Sequence, residues 1–255
     1  MDPLLDFSND VALITGAGSG FGKLLAVSLA ERGAKLVLTD INEDALTTTC
    51  AEVNNVGGEV ASLVGNIADE KLAEQLVNTA TERFGKLTIA VNNAGIAHQP
   101  GPLHMIDSDT LNSQFDVNVN GVFFGMKYQV IAMLANGSGH ILNVSSMAGI
   151  GGAPKGAAYA AAKHAVAGLT RTAAVEYGRK NVRVNAICPF YSPTNILNID
   201  GYNTDEARAQ LAQGCPMKRL GDPQEIVNTM LLMLSPGNSY MNGQCIAVDG
   251  GVSAW

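Results

Sequence analysis

The sequence predicts an open, doubly wound α/β sheet of about seven parallel strands, with helices on both faces. Three observations support this fold class. Short runs rich in leucine and β-branched residues alternate with longer amphipathic segments, as expected of parallel strands joined by crossover helices. A glycine-rich turn directly follows the first run. The chain of 255 residues, 47% hydrophobic and 15% charged, is long enough to form one compact domain, residues 1–255.

The strands are predicted where the apolar runs are short, at residues 11–14, 35–38, 59–64, 88–91, 140–144, 182–186 and 244–248. Helices are predicted where length and apolar spacing fit one buried face, at residues 22–32, 70–84, 109–134, 157–177 and 223–234. Right-handed crossovers place such helices on both faces of the sheet, and the ligand site beyond the carboxyl ends of the strands.

Residues 189–222 interrupt this alternation. The segment is rich in proline and glycine around one short helical candidate at residues 204–213. Long loops inside a compact domain often bind ligands. We therefore predict that residues 189–222 form a lid on the substrate side of the site.

The composition excludes several classes of partner. The 16 Lys and Arg residues are outnumbered by 23 Asp and Glu, giving a net charge of −7, and the basic residues do not cluster. This charge disfavours nucleic acids and anionic lipids. The apolar run at residues 230–234 is far shorter than the roughly 20 residues that cross a bilayer. Residues 1–6 are acidic and do not resemble a secretory signal, so we expect a cytoplasmic protein.

Cysteine and histidine spacing predicts reduced thiols and no metal site. No C-x-x-C pair and no H-E-x-x-H motif occurs. The residues concerned are Cys50, Cys188, Cys215, Cys245, His98, His104, His140 and His164.

The glycine-rich turn, residues 15–22, reads TGAGSGFG. Its small residues let the backbone approach a pyrophosphate at the N-terminus of the following helix. The turn therefore predicts a phosphate-binding loop, although glycine-rich turns also occur for purely structural reasons. A nucleoside-triphosphatase loop is disfavoured because Leu24, and not Ser or Thr, follows Lys23.

The second predicted strand ends at Asp40, twenty residues after Gly20. An acidic side chain at this position accepts hydrogen bonds from an adenosine ribose diol, and its charge repels a 2′-phosphate. Neither Ser19 nor Ile41 supplies an arginine for that phosphate, so the sequence favours NAD over NADP. The alternative is that Asp40 only caps the next helix, with Glu43 completing a capping box.

Two amides follow the fourth predicted strand, in Asn92-Asn93-Ala94-Gly95. They either satisfy backbone groups at the end of the strand or stabilise the sheet beside a bound dinucleotide. The two roles do not exclude each other.

Tyr159 and Lys163 lie four residues apart on a predicted helix, so their side chains share one face. A cation about 5 Å from a phenol oxygen lowers the phenol pKa by about 2 units at an effective dielectric of about 20. Tyr159 is therefore a candidate proton donor with a pKa lowered by Lys163. Ser145 and Ser146 end the preceding strand, where one hydroxyl could bind a carbonyl or alcohol oxygen. Tyr/Lys pairs at this spacing also arise by chance.

Together these motifs resemble those of the short-chain dehydrogenase/reductase family, from about Asp10 to Gly251. Residues 15–22 resemble the family's cofactor loop, residues 92–95 its sheet-stabilising motif, and Tyr159-x-x-x-Lys163 its active-site signature. The resemblance implies a Rossmann-like fold and hydride transfer between NAD(H) and a secondary alcohol or ketone.

The resemblance also implies individual roles. Tyr159 is the general acid in reduction and the base in oxidation, while Lys163 lowers its pKa and binds the nicotinamide ribose. Ser146 holds the substrate oxygen, and Ser145 is its structural neighbour. Among the cofactor contacts, Thr194 meets the carboxamide.

Asn118, with Asn120 as the fallback, is implied to order a water that links Lys163 to solvent. The implied cofactor-binding residues are Gly16, Ser19, Gly20, Phe21, Gly22, Asp40, Ile41, Asn66, Ile67, Asn93, Ala94, Gly95, Tyr159, Lys163, Pro189 and Thr194.

Two positions depart from the family pattern. Asn66 stands where the family usually has Asp beside adenine, and an amide still donates and accepts hydrogen bonds. Phe190 stands where glycine usually follows Pro189, so the loop is expected to take another path because Phe190 cannot copy glycine's freedom at positive φ. Five apolar residues of this segment either line a substrate wall or pack the surface of the lid: Phe190, Tyr191, Ile196, Leu197 and Tyr202.

Two other functions fit the sequence. A 3-oxoacyl thioester reductase acting on acyl carrier protein would use cationic surface near the lid, where Lys218-Arg219 is suggestive but also fits a helix end. A non-catalytic dinucleotide-binding protein would keep the fold without the chemistry. The resemblance further implies a homotetramer that pairs the helices at 109–134 and 157–177. Trp255 either reaches a neighbouring subunit's site or packs on its own surface.

Overall fold

The computed structural model describes residues 2–254, so the alternatives for Trp255 lie outside the described residues. A seven-stranded parallel sheet with the strand order β3-β2-β1-β4-β5-β6-β7 forms its centre. The strands are β1 Val11–Thr15, β2 Lys35–Asp40, β3 Val60–Val64, β4 Ile89–Asn92, β5 Gly139–Val144, β6 Val182–Pro189 and β7 Cys245–Val248. The predicted doubly wound parallel sheet is confirmed.

Helices cover both faces of this sheet. They are α1 Gly20–Ala30, α2 Glu43–Asn55, α3 Glu70–Phe84, α4 Ser108–Phe115, α5 Gly121–Asn136, α6 Ala157–Tyr177, α7 Asp205–Gln213 and α8 Pro223–Leu234. Strand order reverses between β1 and β4, and such a switch point opens a crevice at the carboxyl edge of the sheet.

The residues of β1 divide the core between the two faces. Ala12 and Ile14 pack with the buried sides of α1, α2 and α8. Val11 and Leu13 pack with α3, α5 and α6 on the other face. Because successive side chains in a strand point to opposite faces, a strand covered on both sides is apolar throughout, and all five residues of β1 are buried.

Helix α2 is missing from the sequence prediction. Only three of its thirteen residues, Leu46, Thr49 and Val53, are buried, and one of those is polar. The segment has three consecutive threonines, which disfavour a helix by their β-branched side chains. Burial of a single narrow stripe against the sheet overrides that local preference.

The predicted helix at 109–134 is two helices. A single π-helical turn, Asp116–Asn120, separates α4 from α5. A Cβ atom on Gly121 would lie 2.6 Å from Ile67 Cδ1, so glycine allows α5 to pack closely against the chain after β3. Turns of this kind commonly occur at functional sites.

Within residues 2–254, no helix is long and apolar enough to cross a bilayer. The same residues contain no cluster of three side chains suited to hold a metal ion. The cysteines Cys50, Cys188, Cys215 and Cys245 are free thiols.

Candidate active site

A cleft of about 700 Å³ opens at the carboxyl edge of the sheet. The glycine-rich turn and Asp40 line one end, Ser146 and Tyr159 line the middle, and residues of the 189–222 segment line the other end. The cleft brings together all of the residues predicted for the site except Gly22 and Asn118. Gly22 lies directly behind Gly16 and Asn93, and Asn118 lies directly behind Gly95.

The glycine-rich turn has a backbone that other residues would disturb. Gly16 and Gly20 have φ angles of +66° and +52°, which glycine adopts without strain. A Cβ on Gly22 would overlap the carbonyl oxygen of Gly16 and lie 2.6 Å from Asn93 Nδ2. Ser19 is the N-cap of α1, but its side chain makes no cap hydrogen bond. The first N–H groups of the helix therefore face the cleft unpaired by that cap, as an anion site requires.

Asp40 ties the turn to the end of β2. Its carboxylate accepts hydrogen bonds from the backbone N–H of Gly18 at 2.8 Å and of Asn42 at 2.9 Å. The alternative that Asp40 caps the next helix is wrong, because Asn42 is the N-cap of α2 and accepts from Ala45 N at 3.0 Å. A carboxylate that lines the cleft beside the glycine-rich turn could accept hydrogen bonds from a ribose diol.

The two amides after β4 have different partners. Asn93 Nδ2 donates to the carbonyl oxygens of Thr15 at 2.9 Å and Gly16 at 3.1 Å. Asn92 is buried and exchanges hydrogen bonds with Gln129, at 3.1 and 2.8 Å. Asn93 thus satisfies backbone groups and also holds the glycine-rich turn in place, which confirms the first role considered for these amides. The role beside a bound dinucleotide stays a prediction.

A series of buried side-chain hydrogen bonds continues from Asn92, and the sequence did not predict it. Asn92 Nδ2 donates to Asn143 Oδ1 at 2.8 Å, and Asn143 Nδ2 donates to Thr170 Oγ1 at 2.9 Å. The series links β4 and β5 to α6, the helix that carries Tyr159. The available signal was Asn143 inside an otherwise apolar strand, because a buried amide needs partners.

The two serines after β5 have separate roles. Ser145 is buried, and its Oγ donates to the carbonyl oxygen of Lys163 at 3.0 Å. Ser146 faces the cleft, where its Oγ accepts from Ala148 N at 3.1 Å. A second lone pair remains for a ligand, and the hydroxyl is also within reach of the Tyr159 side chain. Ser145 therefore fixes α6 to the sheet, and Ser146 presents the usable hydroxyl.

Lys163 lies beneath Tyr159 rather than beside its oxygen. Lys163 is 3% exposed, its Nζ lies 5.6 Å from the centroid of the Tyr159 ring, and it donates to Val144 O at 2.9 Å. Burial lowers the pKa of Lys163 to about 8.

The pKa of Tyr159 moves in the direction opposite to the sequence prediction. Burial raises it to about 12, and the Ser146 hydroxyl, which acts in the other direction, does not offset this. The prediction was wrong because it considered the cation and left out desolvation, which disfavours a buried phenolate. Without a ligand, Tyr159 is a protonated phenol at neutral pH.

Asn118 belongs to the π-helical turn and lies directly behind Gly95. Asn118 Nδ2 donates to Ile96 O and to Gln114 Oε1, both at 2.9 Å, and Oδ1 accepts from Ile96 N at 3.0 Å. Both amide hydrogens are therefore used within the protein. A Cβ on Gly95 would lie 2.7 Å from Asn118 Oδ1 and 3.4 Å from Lys163 Nζ. The missing side chain of Gly95 keeps the space between these two groups open, and the remaining lone pair of Oδ1 is the part of the amide that a water there could use.

Other predicted contacts border the turn and the adenine end. Asn66 lines the cleft, and its Oδ1 accepts from Ala68 N at 3.0 Å, so its amide nitrogen is left to face a ligand. Thr194 lies against Gly20, 3.3 Å from where a Cβ would stand.

Phe190 fits without strain. It is not among the non-glycine residues with positive φ, and its N–H donates to Val248 O at 3.1 Å, which continues the pairing of β6 with β7. Phe190 therefore does not need the positive φ that glycine would allow, and the expectation that the loop takes another path than in other members of the family stays a prediction.

The segment at residues 189–222 is closed at its base, and it presents apolar side chains to the cleft. Ser192 Oγ donates to Gly221 O at 2.7 Å, which joins the two ends of the segment. All five residues considered for an apolar wall line the cleft: Phe190, Tyr191, Ile196, Leu197 and Tyr202. The rings of residues 190 and 191 stack edge to face at 4.8 Å, and those of 191 and 202 at 5.5 Å. The segment therefore lines the cleft with apolar side chains and does not only pack the protein surface.

Comparison with known proteins identifies the family. A family model described as "Enoyl-(Acyl carrier protein) reductase" matches residues 16–253. The chain is 38% identical to levodione reductase of Leifsonia aquatica, over 99% of this chain and 97% of the relative. It is also 38% identical to cyclohexanol dehydrogenase of an Acinetobacter species, over 96% and 95%. The chain belongs to the short-chain dehydrogenase/reductase family. It is thus an oxidoreductase, as the sequence resemblance implied.

Solved structures of this short-chain dehydrogenase/reductase family agree with the fold. The crystal structure of levodione reductase matches with a TM-score of 0.93 and 39% identity, covering 96% of this chain and 98% of that one. Similar structures hold either dinucleotide. A Mycobacterium avium carveol dehydrogenase (29% identical, TM-score 0.90, coverage 96% and 98%) contains NAD. A Beutenbergia cavernae protein (33%, 0.89, 99% and 100%) contains NADP at low occupancy.

The residues present fit a nicotinamide dinucleotide. The glycines of the turn leave space that Cβ atoms would otherwise fill. The N-terminus of α1 offers N–H groups that the N-cap side chain does not pair. The cleft extends from Asp40 past Lys163. A pyrophosphate at the turn and a ribose near Lys163 match the charges that line these parts of the cleft.

Proposed function

We propose that this short-chain dehydrogenase/reductase is a single catalytic domain, residues 1–255, that interconverts secondary alcohols and ketones with NAD(H). The observation that carries the proposal is that Ser146, Tyr159 and Lys163 share one cleft with the glycine-rich turn. A nicotinamide dinucleotide supplies or accepts the hydride at its ring. The chain's own residues position the substrate oxygen and move the proton.

In ketone reduction, Ser146 donates a hydrogen bond to the substrate oxygen and Tyr159 gives it a proton. The raised pKa of Tyr159 keeps the phenol in the protonated form that this direction needs. Lys163 holds a positive charge beneath the ring and is placed to bind a ribose hydroxyl. Ser145 and Asn143 act indirectly, by fixing α6 against the sheet.

Asp40 supports NAD rather than NADP. Its carboxylate lines the cleft beside Ile41, and Ser19 lines the same end. Neither Ile41 nor Ser19 carries a charge. A 2′-phosphate would therefore meet a negative charge without a cation to offset it.

The apolar wall supports a ring-shaped, uncharged substrate. Phe190, Tyr191 and Tyr202 present ring faces and edges to the cleft, which suits an alicyclic carbon skeleton. The name of one relative, cyclohexanol dehydrogenase, is in keeping with this choice. We propose six-membered-ring secondary alcohols and their ketones as the substrate class.

A substrate panel tests this proposal. Purified enzyme is mixed with NAD⁺ or NADP⁺ and with cyclohexanol, a linear secondary alcohol or an aromatic alcohol, and reduced cofactor is followed by absorbance. We expect NAD⁺ reduction to be fastest with cyclohexanol. Equal rates with all three alcohols would contradict the ring preference, and a preference for NADP⁺ would contradict the cofactor assignment.

The 3-oxoacyl thioester reductase is the second candidate, since a similar protein, a 3-oxoacyl-[acyl-carrier-protein] reductase of Thermotoga maritima, is 34% identical over 95% of this chain and 97% of its own. The cationic pair that this function would use is engaged within the chain. Arg219 makes a paired contact with Glu225 at 2.6 and 2.7 Å, and Lys218 donates to Gln213 O at 2.8 Å. The reverse reaction tests it: acetoacetyl thioester and cyclohexanone are each mixed with NADH or NADPH, and faster oxidation of the reduced cofactor by the thioester would favour this function.

We also propose a homotetramer in which α5 and α6 pair between subunits. Large apolar side chains are exposed on both helices, Phe123 at 48%, Ile131 at 59% and Val175 at 82%, and such patches commonly mark interfaces. Light scattering at assay concentration tests this, and a monomer would refute it.

A further inference from the structure

Two lid tyrosines have hydroxyl groups that the protein itself uses only with each other. Tyr191 Oη donates to Tyr202 Oη at 3.4 Å, longer than the 2.5–3.0 Å that is usual between two oxygens. Among residues 2–254, no other hydrogen bond of either hydroxyl is found. Both residues are partly buried, and with only this one long contact the pair keeps a donor hydrogen and acceptor lone pairs for a ligand.

The pair faces the substrate end of the cleft. Both rings line it, and the main chain of Tyr191 is held at the base of the lid because its carbonyl accepts from Gly221 N at 3.1 Å. Two oxygens 3.4 Å apart are close enough for one further oxygen to contact both at ordinary hydrogen-bond length.

The reacting phenol belongs to the same cleft as this pair, because Tyr159, Tyr191 and Tyr202 all line it. No hydrogen bond joins Tyr191 to Tyr159 in the described chain, so the lid hydroxyls are not used by the reacting phenol. A ligand in the cleft therefore has Tyr159 and the two lid hydroxyls among its surroundings.

We infer that Tyr191 and Tyr202 form a binding subsite for a second oxygen on the substrate, at a ring position remote from the reacting carbon. This inference rests on the proposed function. The substrate class is then an uncharged six-membered ring with two oxygen functions, such as a 1,4-diol or a 4-hydroxyketone. One oxygen lies between Ser146 and Tyr159, and the other lies between the two lid hydroxyls.

The experiment compares substrates that differ by one hydroxyl. The specificity constant kcat/KM with NAD⁺ is measured for cyclohexanol, 1,4-cyclohexanediol and 1,2-cyclohexanediol. A well-formed hydrogen bond distinguishes substrates by about tenfold or more, so we expect the 1,4-diol to exceed cyclohexanol by about that factor. The 1,2-diol should show no such gain, because its second oxygen lies beside the reacting one.

The variants are Tyr191→Phe, Tyr202→Phe and the double change, with Tyr240→Phe as the matched control. Tyr240 is fully exposed, at 101%, and does not line the cleft. We expect each lid variant to reduce the ratio of the 1,4-diol to cyclohexanol specificity constants about tenfold, while the control keeps the wild-type ratio. Melting temperatures show whether each variant is folded. The comparison of the three alcohols on the wild-type enzyme does not depend on any variant.

Three results would overturn the inference. The wild type could show no preference for the 1,4-diol, the lid variants could lower both constants equally, or the 1,2-diol could gain as much as the 1,4-diol. In each case cyclohexanol is still oxidised and the proposed function stands. If none of the ring alcohols reacts with either cofactor, the proposed function fails as well.

Discussion

The two ends of the cleft differ in the kind of atoms that form their walls. At the cofactor end, the walls are main-chain atoms and glycines, and a Cβ on Gly22 would overlap the backbone of Gly16. At the substrate end, the walls are mainly the side chains of an insertion between β6 and α8. The loop between β5 and α6 also lines the cleft, and a Cβ on its Gly152 would meet nothing within 4 Å. The first end tolerates little change because a backbone cannot move out of the way. The second can change its shape by side chains alone, without altering the sheet.

Tyr159 lies at the boundary, so its removal should separate binding from chemistry. We expect Tyr159→Phe to lower kcat for ketone reduction about 10³-fold, in the range typical of a lost general acid. NADH affinity, measured by cofactor fluorescence, should change little because the glycine turn is untouched. A non-catalytic dinucleotide-binding protein would show no such loss. Substantial remaining turnover would remove Tyr159 from its assigned role.

A methyl group placed at each end should reveal the difference in rigidity. Gly22→Ala is expected to lower the free energy of unfolding by about 1–3 kcal/mol and to weaken NADH binding, because Gly16 O and Asn93 Nδ2 occupy the space. Gly152→Ala is the matched control and should stay within about 0.5 kcal/mol of the wild type. Denaturant titration measures both. Equal effects at the two positions would contradict the contrast.

Asp40→Asn removes the charge at the cofactor end with a side chain of nearly the same shape. The amide oxygen can still accept the hydrogen bond from Gly18 N, which is 2.8 Å long in the wild type, but the NH₂ group cannot accept from Asn42 N as the carboxylate does. We expect the ratio of kcat/KM with NADPH to that with NADH to rise about tenfold, roughly 1.4 kcal/mol, since solvent screens part of the charge. An unchanged ratio would show that Asp40 does not select the cofactor.

Ionisation of Tyr159 gives the smallest signal. Burial raises its folded pKa from 10.0 to about 12, so its charged form is disfavoured and appears only at higher pH than for a free phenol. The phenolate absorbance of the wild type minus that of Tyr159→Phe, both without cofactor, should show no ionisation of this residue below about pH 10. Ionisation near pH 8 would restore the original expectation that Lys163 lowers the pKa.

Parts of the fold and site that depend on local pattern were predictable. The runs at 11–14 and 35–38 lie within β1 and β2, because a strand buried on both faces is apolar throughout. The glycine turn was visible in the same way. Helix α2 was not, because only three of its residues face the sheet and its threonines hide that stripe.

The sequence by itself determined the strand–turn–helix order and which residue types reach the carboxyl edge of the sheet. Tertiary structure alone decided that Asn42, and not Asp40, caps α2. It also decided that the Ser145 hydroxyl donates to Lys163 O while the Ser146 hydroxyl faces the cleft, and that Tyr191 meets Tyr202. It reversed the pKa shift of Tyr159. The reason is physical: spacing along a chain specifies which side chains share a face, whereas desolvation and hydrogen-bond partners depend on every element packed around them.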